Sequence, residues 1–135
     1  MFGNARSAIS AYQKVEVDMA VEVADPHRLI LLLFSGAQVA LVNARTAMQE
    51  REIAAKGTAI SKAIDIISNG LKVSLDLASG GELAARLDAL YDYMVARLLS
   101  ANLKNDLKAL DEVIGLLEEI HSAWREISPQ QKQVA

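Results

Sequence analysis

The chain has 135 residues, 52% of them apolar, a formal net charge of −3, no cysteine and only six aromatic side chains. That length suits one domain with a core of its own, and the lack of cysteine excludes a disulfide framework, a thiol nucleophile and thiolate metal ligands, which makes a reducing, cytoplasmic setting the expectation. Lys and Arg are scattered rather than striped, which argues against nucleic acid as a partner, and the longest unbroken apolar run, Leu29 to Phe34, falls far short of a membrane span, so no membrane insertion is expected.

Residues 1–24 hold Ile9, Tyr12, Val15, Val17 and Val21 among polar neighbours with no sustained helical or strand period, and this stretch reads as a mobile arm with room for a short helix. Asp25 followed by Pro26 is a helix start: the aspartate accepts from an orphan amide, and proline in the first turn gives up no hydrogen bond. The first long helix therefore begins there and ends near Gln49 to Arg51.

A second helix is expected from about Ile53 to Leu77. It carries two apolar stripes, one of Ile60, Ile64, Ile67, Leu71 and Leu75, the other of Ala59, Ala63, Ile66, Val73 and Leu77. A helix apolar on two faces has to be covered on two faces. Ser79-Gly80-Gly81-Glu82 then breaks the chain, with Ser79 and Glu82 at capping-box spacing. The third helix follows with Leu83, Leu87, Leu90, Met94 and Leu98 as its core stripe, widened by Tyr91, Val95 and Leu99. Asn102 to Asn105 is the next break, with Asn105 or Asp106 as cap. The last helix sets Leu107, Leu110, Ile114, Leu117, His121 and Trp124 on one stripe and Val113, Leu116, Ile120 and Ile127 on another, stopping at Ser128-Pro129. Residues 129–135 read as a flexible tail.

Short breaks between four helices predict an all-α, antiparallel up-down four-helix bundle with an additional short N-terminal helix or arm, the whole chain forming one domain. Such a bundle needs about one apolar stripe per helix, and at least two helices here have more. Either the arm folds over the surplus, or a partner's amphipathic helix uses it.

Catalytic and metal chemistry find no support. Glu118 and His121 form one E-x-x-H half-site of a bundle di-iron centre, but Ala24 stands three residues before the other histidine, His27, so the second half-site is missing. His121 reads as a core or rim histidine and His27 as a first-turn surface residue. Nucleotide-binding loops, nucleophile elbows and zinc-ligand spacings are all absent, and Gly80-Gly81 is a turn. Trp124, Met94 and Tyr91 lie at helical spacing and read as packing first. No enzyme and no cofactor is expected.

The segments AAKGTAISKAIDIISNGLKVSLD (54–76), GGELAARLDALYDYMVARLLSANLKND (80–106) and GLLEEIHSAWREIS (115–128), with DPHRLI from Asp25 upstream, resemble the FliS family of flagellar secretion chaperones. The resemblance runs in order over nearly the whole chain, from Ile9 and Tyr12 onward. It implies an antiparallel bundle that binds the disordered C-terminal segment of flagellin in hydrophobic grooves, prevents premature polymerisation and helps deliver it to the flagellar export gate protein. Carried onto this chain, it makes Ile9 and Tyr12 the residues of an arm that occupies a groove when flagellin is absent. The second and third helices become groove walls, with Ile60, Ile64, Ile67, Leu71, Leu90, Tyr91, Met94 and Leu98 as partner-binding candidates. The rival expectation is a self-associating structural bundle that buries the same stripes against a copy of itself.

Overall fold

The computed structural model describes residues 25–127, which form four helices: α1 (Pro26–Gln49), α2 (Ile53–Ile66), α3 (Gly81–Lys104) and α4 (Leu107–Arg125). Helix α1 starts as the sequence requires, with Asp25 Oδ1 accepting from the His27 amide at 3.0 Å and Pro26 in the first turn. The helices pack in a ring, each against its chain neighbour and α1 against α4. Side-chain pairs fix the antiparallel sense: Arg45 of α1 meets Asp111 near the start of α4, while Trp124 near the end of α4 reaches back to His27 at the start of α1. The arm and the tail lie outside the described residues.

Small residues let α1 approach its neighbours closely. Ala37, Ala40, Ala44 and Ala47 are buried there beside Leu33, Phe34, Leu41 and Met48, and the core is completed by Ile60, Ile67 and Leu71, by Tyr91, Met94 and Leu98, and by Leu110, Val113 and Leu117. By length and composition alone α1 is apolar enough to cross a membrane, the one such helix among the described residues, yet its buried residues belong to the bundle core.

Helix α2 departs from the expected straight run to Leu77. Its α-helical part ends at Ile66, and Ile67–Lys72 continue as a π-helix, followed by a turn through Ser74, whose Oγ donates to the Gly70 carbonyl at 2.6 Å. Ile67, Gly70 and Leu71 are all buried there, at the i, i+3 and i+4 spacing of a single helical face.

The expected Ser79–Glu82 capping box is also replaced. Ser79 bonds Asp76 through both its amide and its hydroxyl, and α3 starts from Gly80 with no side-chain cap. Two glycines are needed for different reasons. A Cβ on Gly80 would lie 2.5 Å from Ala84 Cβ and 2.6 Å from the Asp76 carbonyl oxygen, whereas Gly81 has a φ of +61°.

At the other end of the bundle, Asn105 takes the left-handed conformation that closes α3, and Asp106 caps α4 by accepting from the Ala109 amide at 3.2 Å. Two further expectations are corrected, and one residue left unread turns out to be inside. Leu83, expected in the α3 core stripe, and Leu99, expected to widen it, both face solvent, because the buried stripe is narrower than the helix's apolar content. His27 is buried against Trp124 instead of lying on the surface, since α4 is long enough to cover the first turn of α1. Lys56, with no apolar reason to be inside, is buried as well.

Candidate partner-binding surface

One end of the bundle is hollowed. Ile30 and Phe34 of α1, Leu71 of the π-helix with Ser74 and Leu75 beyond it, Leu87 and Tyr91 of α3, and Ile120 and Trp124 of α4 line a cavity of about 60 Å³. That volume holds several waters or one anchoring side chain. The π-helix matters here, because it carries Leu71, Ser74 and Leu75 into the wall.

Two wall aromatics are backed by buried histidines. The His27 ring stacks on Trp124, centroids 5.3 Å apart, and the Trp124 indole N–H donates to the His27 carbonyl at 3.3 Å. The His121 ring lies nearly parallel to Phe34, 8° between planes and 5.2 Å between centroids. Gln38 gives its Nε2 hydrogen to Glu118, so its Oε1 accepts from His121 Nδ1 at 2.6 Å. Burial holds the His121 pKa below the usual histidine value, the nearby Arg125 adds to the depression, and Glu118 opposes it. Burial likewise raises the Tyr91 phenol, which stays protonated. Among the described residues no group of three or more His, Asp or Glu is placed to hold a metal ion, and Glu118, half of the E-x-x-H pair, is bonded to Gln38 and Arg125.

Apolar side chains also lie on the outside of the bundle, spread over several elements. Leu83, Leu99 and Leu103 of α3, Val39 and Val42 of α1, Ile53 at the start of α2 and Leu77 after the π-helix are large side chains in contact with water. Isolated exposed leucines are ordinary, but several on one helix are a surface awaiting cover.

The partner-binding candidates read from the sequence divide by depth. Ile60, Ile67, Met94 and Leu98 are interior to the bundle, where they hold α2 and α3 against α1 and α4. Leu71 and Tyr91 are also buried, and both line the end cavity. Ile64 and Leu90 are partly buried and pack on the core from its edge. Ile9 and Tyr12 lie outside the described residues. The sequence reasoning missed Leu99 and Leu103 as surface residues, although the same helical spacing that gave the core stripe leaves them on the opposite face.

Comparison with known proteins agrees with this architecture. The family model described as flagellar protein FliS matches residues 8–131. The chain is 55% identical over 123 residues to the flagellar secretion chaperone FliS of Salmonella typhimurium, covering 91% of each chain. It is 50% identical over 124 residues to the flagellar secretion chaperone FliSB of Pseudomonas aeruginosa, covering 92% of this chain and 98% of that one. With the FliS of Bacillus subtilis it shares 33% identity over 117 residues, 87% of this chain and 83% of that one. A match of this extent, carried by a chain that folds as an all-helical bundle with apolar side chains left on its surface, places the protein in the FliS family of flagellar secretion chaperones.

Proposed function

We propose that this protein is a cytoplasmic chaperone for flagellin, which binds the disordered C-terminal segment of that client, prevents its premature polymerisation and helps deliver it to the flagellar export gate. The observation that carries this reading is the family match over residues 8–131, and the exposed apolar side chains give it a physical basis. A chaperone family implies a non-enzymatic role. Burying a disordered segment has to offset the entropy of ordering it, typically several kcal/mol, so the contact must be long and apolar. Leucines and valines on more than one helix supply such a contact. No nucleotide or metal is needed, because mass action alone drives the exchange.

Calorimetric titration of a flagellin C-terminal segment into the full chain tests the reading. It predicts a one-to-one complex with a negative heat-capacity change. Absence of binding to flagellin from the same organism overturns it, and light scattering that shows a stable dimer undisturbed by flagellin favours the self-associating bundle.

The arm completes the proposal. Ile9 and Tyr12 precede the Asp25-Pro26 helix start in a segment too short to be stable alone, so it orders only by docking. In this reading the arm covers a client groove, flagellin displaces it, and the freed arm contributes to docking at the export gate. Tyr12→Ala should leave the bundle folded and flagellin binding intact while weakening capture by the gate protein. Arm amides whose hydrogen-exchange protection rises on flagellin binding would contradict the lid.

A further inference from the structure

Asn69-Gly70 is the one asparagine-glycine pair in the chain; the other asparagines precede Ala5, Ala44, Leu103 and Asp106. In such a pair no side chain shields the glycine amide nitrogen, which can attack the asparagine side-chain carbonyl. An N–Cγ bond forms, ammonia leaves and a succinimide ring remains. Water then opens one of the two ring carbonyls, giving aspartate or isoaspartate.

The fold places this pair in the π-helix Ile67–Lys72, the segment that continues the second helix. Helical backbone holds the Gly70 nitrogen away from Asn69 Cγ, so the ring closes only after Asn69 rotates out of it. Asn69 Nδ2 also donates to Asp65 Oδ1 at 2.7 Å, which draws the side chain back along the helix and away from Gly70. Folding therefore protects the pair, and reaction requires the segment to open.

Opening here is easier than global unfolding. A π-helix is a rare form, and Ser68, Asn69 and Gly70 are all weaker helix formers than alanine. The element stops at Lys72, and Asn69 is exposed. What resists is the burial of Ile67, Gly70 and Leu71, the bond from Ser74 Oγ to the Gly70 carbonyl, and an ion pair to α3, in which Lys72 Nζ lies 3.1 Å from Asp88 and 3.6 Å from Asp92.

Both products disturb the segment. Aspartate replaces the donor to Asp65 with a second carboxylate one helical turn away, a repulsive pair. Isoaspartate routes the main chain through the former side-chain carbonyl and lengthens it by a methylene, so Leu71, Ser74 and Leu75 lose their register relative to Ile67. Those three residues line the end cavity together with Trp124.

We propose that Asn69 is a deamidation site whose rate is set by opening of the π-helix, and that its isoaspartyl product dismantles the wall of the end cavity. The cavity thereby has a finite chemical lifetime, written into the segment that shapes it.

The test is a time course of the full chain at neutral pH, followed by peptide mapping with chromatography and mass spectrometry, which separates aspartyl from isoaspartyl peptides. Acid conversion should concentrate at Asn69, with isoaspartate in excess, and run about ten- to a thousandfold slower in native protein than in the urea-unfolded chain. Lys72→Met, which removes the tie to Asp88, should raise the native rate about two- to fivefold and leave the unfolded rate unchanged. The isoaspartyl form should show altered fluorescence of Trp124, the only tryptophan, and a lower melting temperature. Asn69→Gln carried through the same incubation should keep both. Native conversion slower than about a thousandth of the unfolded rate, or faster conversion at Asn105, overturns the site. Equal rates in native and unfolded protein, or a native rate that Lys72→Met does not move, overturn the gating. Isoaspartyl protein with unchanged fluorescence and melting overturns the effect on the cavity.

Discussion

The Lys56 ammonium, buried at the start of α2, donates to the Asn102 carbonyl at 3.0 Å and to Asn105 Oδ1 at 3.2 Å. Both acceptors belong to the end of α3, where Asn105 is left-handed and Asn102 lies in the last turn, whose carbonyls lack helical partners. One cation thus ties the second helix to the turn between the third and fourth.

Lys56→Met keeps the aliphatic stem and removes the donor, leaving the Asn102 carbonyl and the Asn105 amide without that partner. The expected destabilisation is about 1–3 kcal/mol, read as a lower urea midpoint at unchanged m-value. An unaltered midpoint would mean that water replaces the ammonium without loss.

Gly80→Ala should be costly although alanine is the better helix former. Its Cβ would meet the Asp76 carbonyl oxygen at 2.6 Å, a backbone atom that moves only with the whole Asp76–Ser79 turn. A loss of about 1–3 kcal/mol is expected in thermal unfolding. A rise in melting temperature would show that the turn yields freely.

His121 makes stability depend on pH in a definite sense. Burial lowers its folded-state pKa from the ordinary value of 6.5, so the unfolded chain binds the proton more readily. Its contribution is fully present above about pH 6.5 and is lost as pH falls through the folded-state value. The charged groups facing the ring, Arg125 and Glu118, oppose each other. Denaturant melts from pH 7.5 to 5 should show wild-type protein losing stability relative to His121→Gln, and parallel profiles would remove His121 as a cause.

Affinity for a flagellin segment should change only modestly between low and near-molar sodium chloride, because the exposed surface offered for contact is mainly leucine, valine and alanine. A steep loss with salt would indicate an electrostatic partner surface instead.

The sequence by itself determined the four helices, the Asp25-Pro26 start, the Asn105-Asp106 break and the short connections that imply antiparallel neighbours, because caps, breaks and 3.6-residue periodicity act locally and each residue's neighbours along the chain suffice to read them. It also carried the family resemblance, which runs through those same segments. What tertiary structure decided was depth. Leu98 and Leu99 are adjacent leucines on one apolar helix, and only the positions of α2 and α4 make the first core and the second surface. The π-helix is likewise invisible to a 3.6-residue reading, since its buried residues Ile67, Gly70 and Leu71 have the spacing of an ordinary α-helical face. Lys56 and His27, polar residues read as surface or left unread, are buried because a helix distant in sequence covers each of them, Lys56 bonding to the end of α3 and His27 stacking under Trp124 of α4. Burial is a property of which helices become neighbours, and a one-dimensional pattern states how apolar a face is without stating what will lie on it.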